Sequence, residues 1–276
     1  MFLTRFAERA LFMDAHYSEA IDDIVQGLRL YDMWGRIGYA EIKRRYRRTV
    51  IGPFWSSLSL AIFVVVLGIT WSQLWKIDPK EYLPYLCAGM ICWFLFSSFV
   101  TEGCQVFIAS ESLIKQLRIS YMMLVYALVW RNLLVFAHNL LIYIPIAIYG
   151  RVPFNLYWFA AIPGIVFMGI NGLWIALLLG ILCARFRDVQ QVTLSLLQIA
   201  IFVTPILWSP KLLAGRAMVL VEFNMLYHYI VIVRDPLMGL PPPLWSWVMV
   251  IVATIVGWAG TLYVYSRFRR RIPYWV

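Results

Sequence analysis

"EIKRRYRRTVIGPFW", residues 41–55, is the stretch on which the fold turns. Five of the six residues from Lys43 to Arg48 are basic, and no further charge occurs until Lys76. Such a cluster is a nucleic-acid contact, a solvated helix face or an electrostatic stop at a membrane surface. The residues beyond Arg48 decide between these. Residues 49–75, 82–101, 132–150, 152–184, 189–210 and 236–266 carry no charge. A spanning helix needs about 20 mostly apolar residues to cross roughly 30 Å of hydrocarbon. Six runs reach or approach that length, so an all-α polytopic membrane protein is expected. A membrane barrel is excluded, because its strands alternate in segments of about 10 residues and these runs are solid.

Composition agrees: 62% of residues are hydrophobic and the mean hydropathy is +0.76, whereas roughly half the residues of a soluble domain are apolar. The first twenty residues mix both charge signs without an apolar h-region, so no cleavable signal peptide is expected. Cys87, Cys92, Cys104 and Cys183 lie in or beside apolar runs and form no C-x-x-C pair. They are expected as small buried hydrophobes, with no metal and no disulfide.

The net charge of +10 invites a nucleic-acid reading, but its distribution suits a membrane. Bases near span ends orient a helix bundle, the excess staying cytoplasmic. With the N-terminus inside and six alternating spans, the inner segments hold nine bases before the first span, then Lys115 and Arg118, Arg185 and Arg187, and Arg267, Arg269, Arg270 and Arg271. The outer segments hold Lys76, Lys80, Arg151, Lys211, Arg216 and Arg234. Both termini are therefore placed in the cytoplasm. Spans are expected at about 53–75, 83–101, 121–149, 156–183, 189–208 and 244–266, between a cytoplasmic segment 1–50 and a basic tail 267–276. Residues 217–233 tempt a seventh span, but Glu222, Asn224 and His228 interrupt them. A charge at a span centre costs roughly 2.5–3.5 kcal/mol. The segment 209–243 is read as dipping in from the outer face or lying at its interface.

Lys43, Arg44, Arg47 and Arg48 share one helical face, and Ile21, Ile24, Val25 and Leu28 make an apolar stripe at helical spacing. Residues 17–50 read as one or two amphipathic helices on the inner surface, ended by the Gly52-Pro53 break. Attraction to anionic lipid, at about 1 kcal/mol per base, accounts for the basic run by itself; a docking surface for a soluble partner is the alternative. The inner loop 101–120 has room for a short helix capped by Ser110 or Ser112.

Reactive chemistry is sparse. The chain has no G-x-x-x-x-G-K-[ST] loop to cradle ATP, no H-E-x-x-H and no G-x-S-x-G. His16, His138 and His228 are scattered, so no catalytic set and no metal site is expected. Acidic residues inside spans would indicate ion coupling, but only Glu102 and Asp188 come near, each at a span end. Arg131 is the one intramembrane charge. It lies roughly 15 Å along a helix that starts near Tyr121, or snorkels from a span that starts at 132. Ala253, Gly257 and Thr261, at four-residue spacing, suit a close helix contact such as a dimer seam. What remains is aromatic: 13 Trp, 16 Tyr and 17 Phe. Packing and interfacial belts account for many. The functional alternative is a conduit of flat rings, which offer an apolar face to a sugar without fixed hydrogen-bond geometry. Trp55, Trp93, Phe94, Phe96, Phe99 and Trp174 are the candidates for its lining.

Four stretches carry a family resemblance. "RRYRRTVIGPFW" (44–55) resembles the R-Y-[RK]-x-[TS]-x-L-G-x-x-W signature of type-2 ABC exporter permeases for cell-surface polysaccharides. "SLIKQLRIS" (112–120) resembles the inner loop after their second span. "ARFRDVQQVTLSLLQIAIFVTPILW" (184–208) resembles their fourth-to-fifth span junction, and "VRDPLMG" (233–239) their outer segment. The resemblance runs from about residue 30 to the end. It implies a six-span permease of the bacterial inner membrane with an N-terminal amphipathic interface helix and short outer-face re-entrant helices. It further implies a homodimer that binds two copies of a separate ATPase subunit, which holds ATP and Mg; this chain holds no cofactor. The cargo would be a lipid-linked polysaccharide of O-antigen type, with teichoic acid or capsule as alternatives, and membrane lipids but no nucleic acid as further partners. By position, residues 33–48 and 108–118 would meet the ATPase, through Arg44, Arg45, Arg47, Arg48, Glu111, Ser112, Lys115 and Gln116. Thr204, Pro205, Asn224, Tyr227 and Arg234 would form the outer gate. The family often has Asn-Pro in this segment, where this chain has Asn224-Met225. From another class, a polytopic enzyme acting on lipid-linked sugars is the competing reading; a neighbouring gene for an ATPase discriminates.

Overall fold

The computed structural model describes residues 2–45, 47, 54–117, 119–210 and 218–276. Arg48, Arg118, Lys211, Arg216 and the Gly52-Pro53 break lie outside the described residues. Among those described there is no strand. Two helices, α1 (Phe2–Arg29) and α2 (Tyr31–Arg45), precede α3 (Phe54–Trp75), α4 (Pro79–Gly103), the short α5 (Glu111–Gln116), α6 (Tyr121–Tyr149), α7 (Ala161–Arg185) and α8 (Asp188–Val203). Then come α9 (Met218–Glu222), α10 (Met225–Leu237), α11 (Leu244–Phe268) and α12 (Ile272–Trp275). Five helical stretches are long and apolar enough to cross a membrane: Ser57–Trp75, Pro79–Gly103, Tyr121–Tyr149, Leu156–Arg185 and Leu244–Trp275.

The central post is α4. Asp78 caps it by accepting from the Lys80 amide at 2.9 Å, and Pro79 fills the first helical position, where its missing N–H costs nothing. Leu86, Cys87, Ala88, Met90, Ile91 and Cys92 are buried in succession, as expected of a helix surrounded by others. Helices α3, α6, α7 and α10 pack around it. By contrast Ile62, Val66 and Ile69 of α3 and Ile255 and Val256 of α11 face outward.

Helix α8 falls short of the span expected over 189–208. It stops at Val203 because Pro205 disfavours the helical region for the residue before it, and Thr204 is extended at ψ 136. Its 16 residues rise about 24 Å. The amphipathic segment begins well before residue 17 and is two helices, divided at Leu30. A short helix does follow the second span, with Ser110 at its N-cap position, although the Ser110 hydroxyl makes no cap bond.

The C-terminal half of α1 meets the end of α11 on one face, here the basic face. Buried Asp23 of α1 accepts from Arg269 at 2.9 Å, from Tyr265 at 2.5 Å and from the Met122 amide at 3.2 Å, which opens α6. Glu19 accepts from Arg270 Nε at 3.1 Å, and that hydrogen bond holds its carboxyl below the usual range.

Candidate functional site

On the basic face, α2, α4 and α6 converge in a charged joint. Arg131 is the eleventh residue of α6, so the helix does start near Tyr121, but the residue is not stranded in hydrocarbon. Its guanidinium meets Glu41 of α2 and, at 2.5 Å, Glu102 at the end of α4. Glu102 also accepts from Asn132 at 2.7 Å and from Arg45 at 3.0 Å. Residues 121–130 of α6 therefore extend beyond the end of α4 and are covered by α1 and α2. Trp34 lies against the rings of Tyr126 and Trp130, and Tyr126 donates to the Ile24 carbonyl.

A cavity of about 330 Å³ beside this joint is lined by Glu41 and Arg45 on one side and by Gln105, Ala109 and Ser110 on the other. It brings α2 next to the turn that leads into α5. Arg44 of α2, Arg47 in the turn just beyond it, and Ser112 and Gln116 of α5 are exposed. Glu111 and Lys115 pair with each other at 2.6 Å, which lowers the Glu111 pKa.

At the opposite end, the far face, the five residues expected at an outer gate come together. Asn224 donates to Thr204 Oγ1 at 3.1 Å and caps α10 by accepting from the Leu226 and Tyr227 amides. Met225 thus starts α10 without the family's proline. Arg234, 3% exposed, donates to the Pro205 carbonyl at 2.8 Å. Its guanidinium lies 4.3 Å from the Tyr85 ring centroid and 5.9 Å from that of Tyr227. Sequence reasoning missed the α4 tyrosines: Tyr85 donates to the Pro205 and Trp208 carbonyls and Tyr82 to that of Leu207. The signal was Pro205 itself, since an interrupted helix leaves carbonyls that buried donors must satisfy. His228, buried beside this cluster, is bonded to Ser246 and to the Glu222 carbonyl.

The ring residues do not form one surface within a single chain. Trp93 and Phe99 are buried in the packing of α4 at 5% and 0% exposure, Phe94 points into a groove between α3, α4 and α6, and Trp55 is exposed on α3. Phe96 and Trp174 do share a space, an apolar cavity of about 610 Å³. Phe96 stacks on Tyr229 with centroids 5.7 Å apart, and Asn171 accepts from both Trp174 and Tyr229 while donating to Thr254. The small-residue stripe of α11 faces this region too and makes a close helix contact: Thr261 donates to the Trp174 carbonyl and Gly257 lies under the Trp174 indole. Its close approach is to α7 of the same chain. Among the described residues no cluster of three or more His, Cys, Asp or Glu is placed to hold a metal, and all four cysteines are buried thiols.

Apolar helices of spanning length, with charge gathered at the ends of the bundle, define a multi-pass membrane protein. The model of the ABC-2 type transporter family matches residues 34–238, and the chain belongs to that family. It is 23% identical over 213 residues to an O-antigen export system permease protein RfbA of Klebsiella pneumoniae, covering 76% of this chain and 82% of the relative. A protein of the same name from Myxococcus xanthus is 24% identical over 171 residues, covering 61% and 65%.

Proposed function

We propose that this chain is the membrane subunit of an ATP-driven exporter that moves a lipid-linked polysaccharide of O-antigen type across the bacterial inner membrane. One observation carries the reading. Helix α2 and the turn before α5, separated in sequence by α3 and α4, face each other across one cavity on the basic face. A partner seated over this face would press on α2, which packs along α6, and on the turn that joins α4 to α5. The family supports such a partner, and the names of the relatives support the cargo.

On this reading the basic face is cytoplasmic, residues 1–50 with the tail 267–276 form the interface layer, and 51–266 form the permease proper. Helix α8 with the turns at 204–208 serves as the fifth of six spans in chain order, and α9 and α10 are re-entrant from the periplasmic side. Two copies of the chain enclose the channel and bind two ATPase subunits, in which ATP and Mg reside. Arg44, Arg45, Arg47 and α5 receive the ATPase, Phe96 and Trp174 contribute rings to the glycan path, and the Thr204–Asn224 and Pro205–Arg234 bonds hold the outer mouth.

The test is reconstitution with a partner ABC ATPase subunit. The complex is expected to show ATP-dependent delivery of lipid-linked glycan to the vesicle lumen, whereas the chain alone shows none. Turnover of a glycan substrate by the isolated chain in detergent would overturn the proposal.

A further inference from the structure

The quartet Glu41, Arg45, Glu102 and Arg131 is unusual in what surrounds it. Cavities of about 480 and 330 Å³ flank it, and both are lined by Arg45 and Glu102. The link between α2 and α4 therefore runs through charge across a loosely filled region rather than through close packing. The link between α2 and α6 is different. Gly38 comes so near α6 that a Cβ would lie 2.9 Å from the Ala127 carbonyl oxygen, and Trp34 is wedged against Tyr126 and Trp130. Helix α2 and the start of α6 thus form one rigid piece, and Glu102 is held to that piece by three donors: Arg45, Arg131 and Asn132.

Stability does not account for this arrangement. Replacing a buried ion pair with apolar groups is often neutral or favourable, whereas charge fixes which groups face each other. The Arg131 fork engages two carboxylates on two helices, geometry that an ammonium does not reproduce.

We infer that Arg131 is a positioning residue that makes α4 follow α2: it clamps Glu41 and Glu102 so that displacement of the α2–α6 piece is carried into the central helix. The inference rests on the ATPase-driven reading above. It adds that the joint sets how much transport each hydrolysed nucleotide yields.

The experiment uses the permease–ATPase complex in proteoliposomes and measures glycan delivered per ATP hydrolysed. The double variant Glu102→Gln/Arg131→Met leaves only Glu41 and Arg45, both able to reach water. It should retain ATPase association and basal hydrolysis while glycan per ATP falls about tenfold or more. Arg131→Lys should give an intermediate ratio and also decides the matter if the double variant does not fold. Lys80→Gln, exposed at the far end of α4, should leave the ratio unchanged. A wild-type ratio in Glu102→Gln/Arg131→Met or in Arg131→Lys overturns the inference. So does loss of ATPase association, which would make the joint part of the docking surface. Failure of the wild-type complex to transport at all instead removes the functional reading on which the inference stands.

Discussion

The indole of Trp174 on α7 lies directly on Gly257 of α11, where a Cβ would overlap the ring. No small shift of a flexible side chain relieves that overlap, because the indole is held by its bond to Asn171 at 2.7 Å. Gly257→Ala should destabilise the bundle by about 1–3 kcal/mol, the usual penalty for overpacking. Gly260→Ala, with nothing within 4 Å, is the matched control. Thermal unfolding in detergent should separate the two; equal melting temperatures would refute the overlap.

The aromatic residues should divide into two behaviours. Phe99 and Trp93 are buried on α4, so truncation to alanine should cost about 3–5 kcal/mol and show as lost expression and melting temperature. Phe96→Ala and Trp174→Ala border an existing cavity and should unfold the protein far less while slowing export. Export at the wild-type rate in the Phe96→Ala/Trp174→Ala pair would remove both rings from the glycan path.

Arg234 is the strongest donor to the interrupted segment after α8. Arg234→Met leaves the Pro205 carbonyl without its charged partner, a loss of about 1.5–3 kcal/mol. Tyr85→Phe removes one neutral donor, shared between the Pro205 and Trp208 carbonyls, and should cost about 1 kcal/mol. Hydrogen exchange across 204–208 is expected to accelerate in both, and more in Arg234→Met. Unchanged exchange in Arg234→Met would show that the segment is held by other means.

The clamp between α1 and the tail should respond to acid. The Glu19 carboxyl titrates below its usual range in the folded protein because Arg270 hydrogen-bonds it. Its contribution is therefore complete above the unfolded value of about 4.3 and is lost as pH falls through the lowered folded value. Both partners are largely exposed, so the effect should be small and weaken with salt. Limited proteolysis of α1 at pH 6 and pH 3.5 should show the difference, and Glu19→Gln should abolish that part of it.

Much of this fold is legible in residues alone. The lengths of the uncharged runs determine the class and place most spans within a few residues, because hydrocarbon thickness imposes a local rule that needs no partner. The start of the third span at Tyr121 is not settled by that rule, because Arg131 interrupts the uncharged run and leaves 121 and 132 both open; the packing decides for Tyr121. Pro205 also stands in the sequence as an interruption, yet the uncharged run continues through it, so a helix that ends at Val203 reads as a longer span.

The tertiary structure decided which residues meet. In lipid a helix is apolar whether it faces a neighbour or the bilayer, so periodicity no longer marks the buried side. That is why Phe94 and Phe96, two residues apart, group together in sequence yet open into different cavities, and why the stripe at Ala253, Gly257 and Thr261 marks a close helix contact without naming α7 as the helix it meets. It is also why Glu41 and Glu102 do not stand out. Each looks like an ordinary charge beside a membrane, and only the packing of α2 along α6 brings both carboxylates to Arg131.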